Sequence, residues 1–107
     1  KKCKNYYWRI SMEEQKYNIE YKEEYFSDIQ KHKKSGDKNT LKKIGSFLLE
    51  IENTPTIGTG KPEQLKGYKE RSIWSRRIDQ KHRLVYEIFS EEYKVVIISA
   101  YGHYDDK

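Results

Sequence analysis

The stretch IWSRRIDQKHRLVYEIF, residues 73–89, holds two strand-like runs separated by a short polar turn. Alternation of side chains within each run predicts a β-hairpin with its turn at 79–81. In that register Arg77 lies directly opposite Arg83. The other face of the hairpin carries apolar side chains, namely Trp74, Leu84, Tyr86 and Ile88. The same register places Arg76 on this apolar face, where a charged side chain is unusual.

The facing arginines indicate a site for an anion. Like charges opposite each other on adjacent strands are destabilising unless an anion lies between them, and guanidinium groups bind phosphate oxygens in a bidentate manner. The chain has a net charge of +5, and all of this excess lies between Lys61 and Arg83, where eight residues are basic and three are acidic. This patch indicates a polyanionic partner, either a nucleic acid or an acidic protein. A solvated basic face without a specific partner is the alternative.

Further elements are predicted on both sides of the hairpin. Residues 94–101 include the apolar run Val95–Ile98, which is typical of a central strand, and residues 17–21 alternate as in a half-buried strand. Two helices are predicted between these strands. The core-facing stripe of the first helix consists of Tyr21, Tyr25, Phe26 and Ile29. The stripe of the second consists of Leu41, Ile44, Phe47, Leu48 and Ile51.

The predicted element order is β-α-α-β-β-β. It indicates an α+β fold in which two N-terminal helices pack on one face of a mainly antiparallel sheet. The 107 residues suffice for one domain, which we assign to residues 17–107. Residues 1–16 form an N-terminal extension without an indicated role. Residues 54–72 form a long polar connection without regular structure, a feature that is often functional.

Composition excludes several classes of protein. No apolar stretch approaches the ~20 residues that span a bilayer. One cysteine cannot form a disulfide framework, and the three histidines lack the spacing of metal ligands. We therefore expect a cytoplasmic protein that needs no membrane, metal or cofactor. Ten tyrosines and two tryptophans compensate for few aliphatic residues in the core.

Two further residues complete a set of groups for acid–base chemistry. Glu63 lies between Lys61 and Lys66, and nearby cations favour its ionised form, which can act as a base. His103 follows the predicted central strand and can donate a proton near neutral pH. A base, an acid and paired arginines are what RNA cleavage without a metal requires. We interpret the remaining strand histidine, His82, as structural.

Several motifs together resemble the YoeB/Txe toxins of the RelE superfamily. They are Gly60-Lys61-Pro62-Glu63-Gln64-Leu65-Lys66, Trp74-Ser75-Arg76-Arg77-Ile78, His82-Arg83-Leu84-Val85-Tyr86 and His103-Tyr104. The resemblance runs from about Tyr17 to Tyr104 and preserves the order of the motifs. It implies a bacterial toxin–antitoxin protein with the RelE-like fold, the same arrangement that the periodicity predicts.

The resemblance also implies a function. Members of this family cut mRNA in the ribosomal A site, which stops translation, and are held by a cognate antitoxin, often as homodimers. By analogy, the catalytic residues are Glu63 as base, His103 as acid, Arg83 as transition-state stabiliser and Tyr104 as organiser of the site. The analogous phosphate-contacting residues are Lys66 and Arg77.

Two other functions are compatible with this fold. ParE-type toxins resemble it but bind DNA gyrase without cutting RNA. A catalytically inactive RNA-binding relative is the second alternative, because Asp105 and Asp106 follow the His-Tyr pair and add carboxylates next to the acid in sequence. The set of base, acid and arginine favours the ribonuclease.

Overall fold

Two helices and five strands make up the computed structural model of the protein, which describes residues 16–102. The elements are β1 (Asn18–Tyr21), α1 (Glu23–Lys34), α2 (Lys38–Asn53), β2 (Glu63–Gln64), β3 (Ile73–Arg77), β4 (Arg83–Phe89), a 3₁₀ turn (Ser90–Glu92) and β5 (Lys94–Ser99). Helix α2 begins after Asp37 because the carboxylate of Asp37 accepts a hydrogen bond from the Thr40 amide at 3.1 Å.

All five described strands form one sheet in the order β1-β5-β4-β3-β2. Strand β5 lies between β1, to which it is parallel, and β4, to which it is antiparallel. Its apolar run is buried on both faces of the sheet, with Val95 and Ile97 in one buried cluster and Ile98 in a second. In the hairpin of β3 and β4, Arg77 pairs with Arg83 and Trp74 pairs with Tyr86. The predicted hairpin register and the predicted α+β fold are both confirmed, and one short strand, β2, is added.

The helices cover one face of the sheet and form the main hydrophobic core with it. Burial of apolar surface is the main favourable contribution to such packing. The buried core residues are Tyr25, Ile44, Phe47, Ile51, Ile78, Leu84, Tyr86, Ile88, Val95, Ile97 and Ala100. The predicted stripe of α2 and the predicted apolar face of the hairpin therefore meet in this core.

The buried stripe of α1 differs from the predicted one. Tyr25 is buried, but Phe26 and Tyr21 are 55% and 40% exposed. The buried positions of α1 are Tyr25, Asp28 and His32, three and four residues apart. Asp28 and His32 bind backbone groups just beyond β5, and this need for hydrogen bonds explains polar residues at core positions.

The connection 54–72 contains strand β2, and the prediction that it lacks regular structure is wrong. A hydrogen bond from the Arg77 amide to the Gly60 carbonyl at 2.7 Å precedes β2. Another, from the Leu65 amide to the Ile73 carbonyl at 2.8 Å, follows it. A strand of two residues shows no alternation that could predict it. Its pairing with β3 fixes the connection against the sheet.

Gly60 makes the close approach of this connection possible. Its φ angle is +81°, and a Cβ atom here would lie 2.6 Å from Cζ of Phe47. Gly60→Ala is therefore expected to lower the free energy of unfolding by about 2 kcal/mol, from backbone strain and overpacking, as chemical denaturation would measure. In the matched control Gly45→Ala, the added methyl meets nothing within 4 Å on an exposed helix position. That substitution should stabilise the protein by up to about 1 kcal/mol, and equal effects would contradict the prediction.

Residues 1–15 and 103–107 lie outside the described part of the chain. The assigned N-terminal extension, residues 1–16, falls almost wholly there, so the domain boundary at residue 17 stays a prediction. Within residues 16–102, no helix combines the length and the apolar character needed to cross a membrane.

Candidate active site

Three of the predicted site residues lie on the sheet face that is turned away from the helices. Glu63 pairs with Ser75 across β2 and β3, and Arg77 follows two residues later on the same side of β3. Arg83 in β4 is the cross-strand partner of Arg77. We call the surface formed by Glu63, Arg77 and Arg83 the outer face.

Glu63 and Arg83 form an ion pair on the outer face. Oε1 of Glu63 lies 3.9 Å from Nη1 of Arg83. The Glu63 side chain is 68% exposed, whereas the Arg83 side chain is only 22% exposed. The carboxylate is therefore open to solvent, while the guanidinium is largely enclosed by its surroundings.

Arg77 adds a second guanidinium to the outer face. Its side chain is exposed, and it stands directly opposite Arg83 in the ladder. Side chains of directly paired residues lie about 5 Å apart at Cβ, so the two positive charges repel each other. The single carboxylate of Glu63 leaves one positive charge in excess, which a bound anion such as a phosphate group would balance.

Lys66 lies in the loop that follows β2. Leu65 and Tyr68 anchor this loop by packing against Ile73, Val85 and Ile98. The loop lines a cavity of about 490 Å³ whose basic residues are Lys66, Lys69 and Arg71. Lys66 is exposed there and extends the positive surface beyond the outer face.

Within residues 16–102, no group of three or more His, Cys, Asp or Glu residues could hold a metal ion.

Arg83 is also bound to the end of the described chain. Its amide donates a hydrogen bond to the carbonyl of Gly102 at 3.1 Å. His103 and Tyr104 follow Gly102 in sequence but lie outside the described residues, so their roles stay predictions. The structure thus brings Glu63, Arg77 and Arg83 together and binds residue 102 beside the last of them.

A polar network on the helix-facing side of β3 was not predicted. Arg76 is completely buried, and its Nη1 lies 2.6 Å from Oε1 of Glu50. Nε donates to the Tyr86 hydroxyl at 3.1 Å, and Nη2 donates to the carbonyls of Thr54 and Ile57 at 2.9 Å each. The sequence feature that indicates this network is the position of Arg76 on an otherwise apolar strand face. Its partners lie 10 to 26 residues away and leave no local pattern.

A family model described as the YoeB-like toxin of bacterial type II toxin–antitoxin systems matches residues 21–104. This chain belongs to that family. The match contains every residue of the outer face as well as Lys66, His103 and Tyr104.

Individual relatives agree with the family match. Toxin YoeB of Streptomyces coelicolor is 41% identical over 73 residues, which are 68% of this chain and 83% of that protein. The solved structure of a YoeB dimer from Staphylococcus aureus has a TM-score of 0.69 and 35% identity, covering 82% of this chain and 98% of that one. A heterotetrameric YoeB–YefM toxin–antitoxin complex from the same organism has a TM-score of 0.67 with the same identity and coverage. The predicted resemblance to YoeB toxins is confirmed.

Proposed function

We propose that this toxin is a ribosome-dependent endoribonuclease that cleaves mRNA in the ribosomal A site and so inhibits translation. The grouping of Glu63, Arg77 and Arg83 on the outer face carries the proposal. A carboxylate beside two guanidinium groups suits cleavage of an RNA phosphodiester by its own 2′-hydroxyl. Membership in the YoeB-like toxins supports this function.

The proposed reaction has one acid–base cycle. The Glu63 carboxylate removes the proton from the 2′-hydroxyl, and the 2′ oxygen attacks the adjacent phosphorus. Arg83 stabilises the negative charge of the pentacoordinate phosphorane. The bond from phosphorus to the 5′ oxygen then breaks while His103 donates a proton to that oxygen. The products are a 2′,3′-cyclic phosphate and a free 5′-hydroxyl.

The other predicted residues bind and orient the RNA in this proposal. Arg77 and Lys66 contact phosphates of the RNA, because both are exposed cations, Arg77 opposite Arg83 and Lys66 three residues after Glu63. Tyr104 helps to organise the site. The ribosome holds the mRNA so that the 2′ oxygen is aligned with phosphorus, a positioning effect that can contribute several kcal/mol.

A cognate antitoxin is the proposed protein partner. The S. aureus relatives include a YoeB–YefM complex and a YoeB dimer, so we extend both assemblies to this chain as proposals. Because the proposed substrate is mRNA on translating ribosomes, we propose that the toxin acts in the cytoplasm.

Primer extension on a defined mRNA tests the proposal. The purified, antitoxin-free protein is incubated with the mRNA in the presence and absence of programmed ribosomes. We expect a discrete cut within the A-site codon only when ribosomes are present. We expect ribosomes to be required because the outer face has few groups that could orient the mRNA for attack by its 2′ oxygen.

The absence of a cut from folded protein in both reactions would overturn the proposed function. Broken DNA with intact mRNA after induction would then favour a ParE-like toxin that binds DNA gyrase. A footprint on RNA without strand scission would favour an inactive RNA-binding relative.

A further inference from the structure

The backbone of Gly102 is fixed at both of its polar groups by neighbouring residues of the hairpin. The Gly102 amide donates to Nδ1 of His82 at 2.8 Å, and the Gly102 carbonyl accepts from the Arg83 amide at 3.1 Å. The φ angle of Gly102 is +75°, which a glycine adopts without strain. Adjacent residues of β4 and its turn therefore hold residue 102 from both sides.

Helix α1 fixes the residue at the beginning of the same segment. The Ala100 amide donates to Oδ2 of Asp28 at 2.8 Å, and Nε2 of His32 lies 2.8 Å from the Ala100 carbonyl. The parallel pairing of β1 with β5 ends at Tyr21 and Ile97, before this segment begins. Asp28 and His32 therefore supply hydrogen bonds that a neighbouring strand would otherwise give.

These hydrogen bonds define which ring nitrogen carries the proton in His32 and in His82. A carbonyl oxygen only accepts, so Nε2 of His32 is the donor to Ala100. An amide only donates, so Nδ1 of His82 carries a lone pair and its proton is on Nε2. The His82 ring lies edge-on to His32, with centroids 4.8 Å apart, and contacts the Tyr101 ring at 4.4 Å. His82 thus combines a hydrogen-bond acceptor with aromatic packing.

We propose that His82 is a positioning residue whose Nδ1 acceptor fixes Gly102, the residue that binds the Arg83 amide and directly precedes His103 in sequence. The inference rests on the proposed function, in which His103 is the acid and Arg83 stabilises the transition state. The Arg83 amide and the His82 ring both bind Gly102, so the residue before the proposed acid is tied to the proposed transition-state arginine. His82 acts through Gly102 and does not contact the RNA.

Protonation of His82 at Nδ1 would remove the acceptor. Burial is the main cause that lowers the pKa of His82 from its ordinary 6.5, and this favours the neutral ring. The hydrogen bond is therefore complete above pH 6.5 and is lost as the pH falls through the lowered pKa. The titratable and charged groups that act on or contact the His82 ring are His32, Asp37, Asp79, Lys81 and Tyr101. Lys31 lies over the Tyr101 ring, and Arg83 is the next residue in the chain. Asp79 and Asp37 favour the cation, whereas His32 and Lys81 oppose it.

Two substitutions separate the acceptor from the aromatic packing. His82→Phe keeps a ring against His32 and Tyr101 but has no acceptor. His82→Asn loses the ring but carries Oδ1 on Cγ, at the branch point where histidine carries Nδ1. The wild-type protein and both variants are compared in single-turnover cleavage on programmed ribosomes at saturating toxin. Thermal melting and amide hydrogen exchange at Gly102 are measured on the same samples.

We expect His82→Phe to lower the rate constant by about 10-fold to 100-fold, because small displacements of a catalytic group cost that much. His82→Asn should stay within about threefold of wild type even if its melting temperature falls further, since its acceptor is retained. As the pH is lowered below 6.5, the wild-type rate constant should fall more than that of His82→Asn, because only the histidine loses its acceptor on protonation. Exchange of the Gly102 amide should be faster only in His82→Phe.

Several results would overturn the inference. The first is equal rate constants in all three proteins. The second is a loss of activity in the two variants that follows only the fall in their melting temperatures. The third is a low-pH fall of the same size in the wild type and in His82→Asn. If the wild-type protein itself does not cut mRNA, the proposed function fails. The Gly102 exchange rates would then decide separately whether the His82 acceptor holds this segment, and equal rates would refute that as well.

Discussion

Replacing Glu63 by Gln should slow mRNA cleavage by about 10²-fold to 10⁴-fold, the usual contribution of a general base. The amide has the size of the carboxylate but cannot take a proton from the 2′-hydroxyl. The Glu63 side chain is 68% exposed and lies 3.9 Å from Arg83, so little stability depends on it. The free energy of unfolding should change by less than about 0.5 kcal/mol. Single-turnover cleavage on programmed ribosomes and thermal melting measure the two effects.

Glu92 provides the matched control for this substitution. Its side chain is 63% exposed and lies 3.4 Å from Nζ of Lys94, so it forms a similar surface ion pair. Glu92 lies in the turn after β4, whereas Arg83 begins that strand. Glu92→Gln should leave both cleavage and stability unchanged. Cleavage by Glu63→Gln at the wild-type rate would rule out Glu63 as the base.

The loss in Glu63→Gln should affect the rate constant and not the binding of substrate. Removing the carboxylate leaves Arg77 and Arg83 on the outer face without a negative partner. Attraction to RNA phosphates is then retained or increased. The toxin concentration that gives half-maximal cleavage should therefore not rise, which separates lost chemistry from lost affinity.

Local patterns predicted those parts of the fold that depend on residues close in sequence. The alternation along residues 73–89 gives the hairpin register, because a shift by one residue would turn Leu84 and Tyr86 away from the core. That register also places Arg77 opposite Arg83. Two of the three outer-face residues therefore follow from one hairpin and its side-chain alternation.

The rest of the site depends on contacts between distant parts of the chain. Glu63 meets Arg83 only because β2 joins the sheet as an edge strand, and a two-residue strand has no periodicity. Asp28 binds the amide of Ala100, 72 residues later. From the sequence, Asp28 and His32 are polar residues in a helix, and nothing local indicates that they bind the end of β5. The reason why polar residues occupy these buried helix positions depends on the assembled sheet, because their hydrogen-bond partners lie at the end of β5.

Arg76→Lys should lower the free energy of unfolding by about 3 kcal/mol or more, which corresponds to a fall in melting temperature on the order of 15 °C. The buried guanidinium of Arg76 binds Glu50, the Tyr86 hydroxyl and backbone carbonyls of the connection after α2. Those carbonyls belong to Thr54, Pro55, Ile57 and Thr59. A lysine ammonium keeps the charge but donates from a single point, so it cannot satisfy groups that surround a planar fork.

Arg77→Lys is the matched control, since it makes the same chemical change at the next residue of β3, where the side chain is exposed. It should change stability by less than about 0.5 kcal/mol while weakening the proposed phosphate contact. Equal melting temperatures for the two variants would show that the Arg76 network contributes nothing specific to stability.

Arg76 also supports the general base, because the connection that it binds continues through Gly60 to Glu63. The Gly60 carbonyl in turn accepts a hydrogen bond from the Arg77 amide. Arg76→Lys should therefore also slow cleavage at temperatures where it remains folded, because the general base depends on the same support.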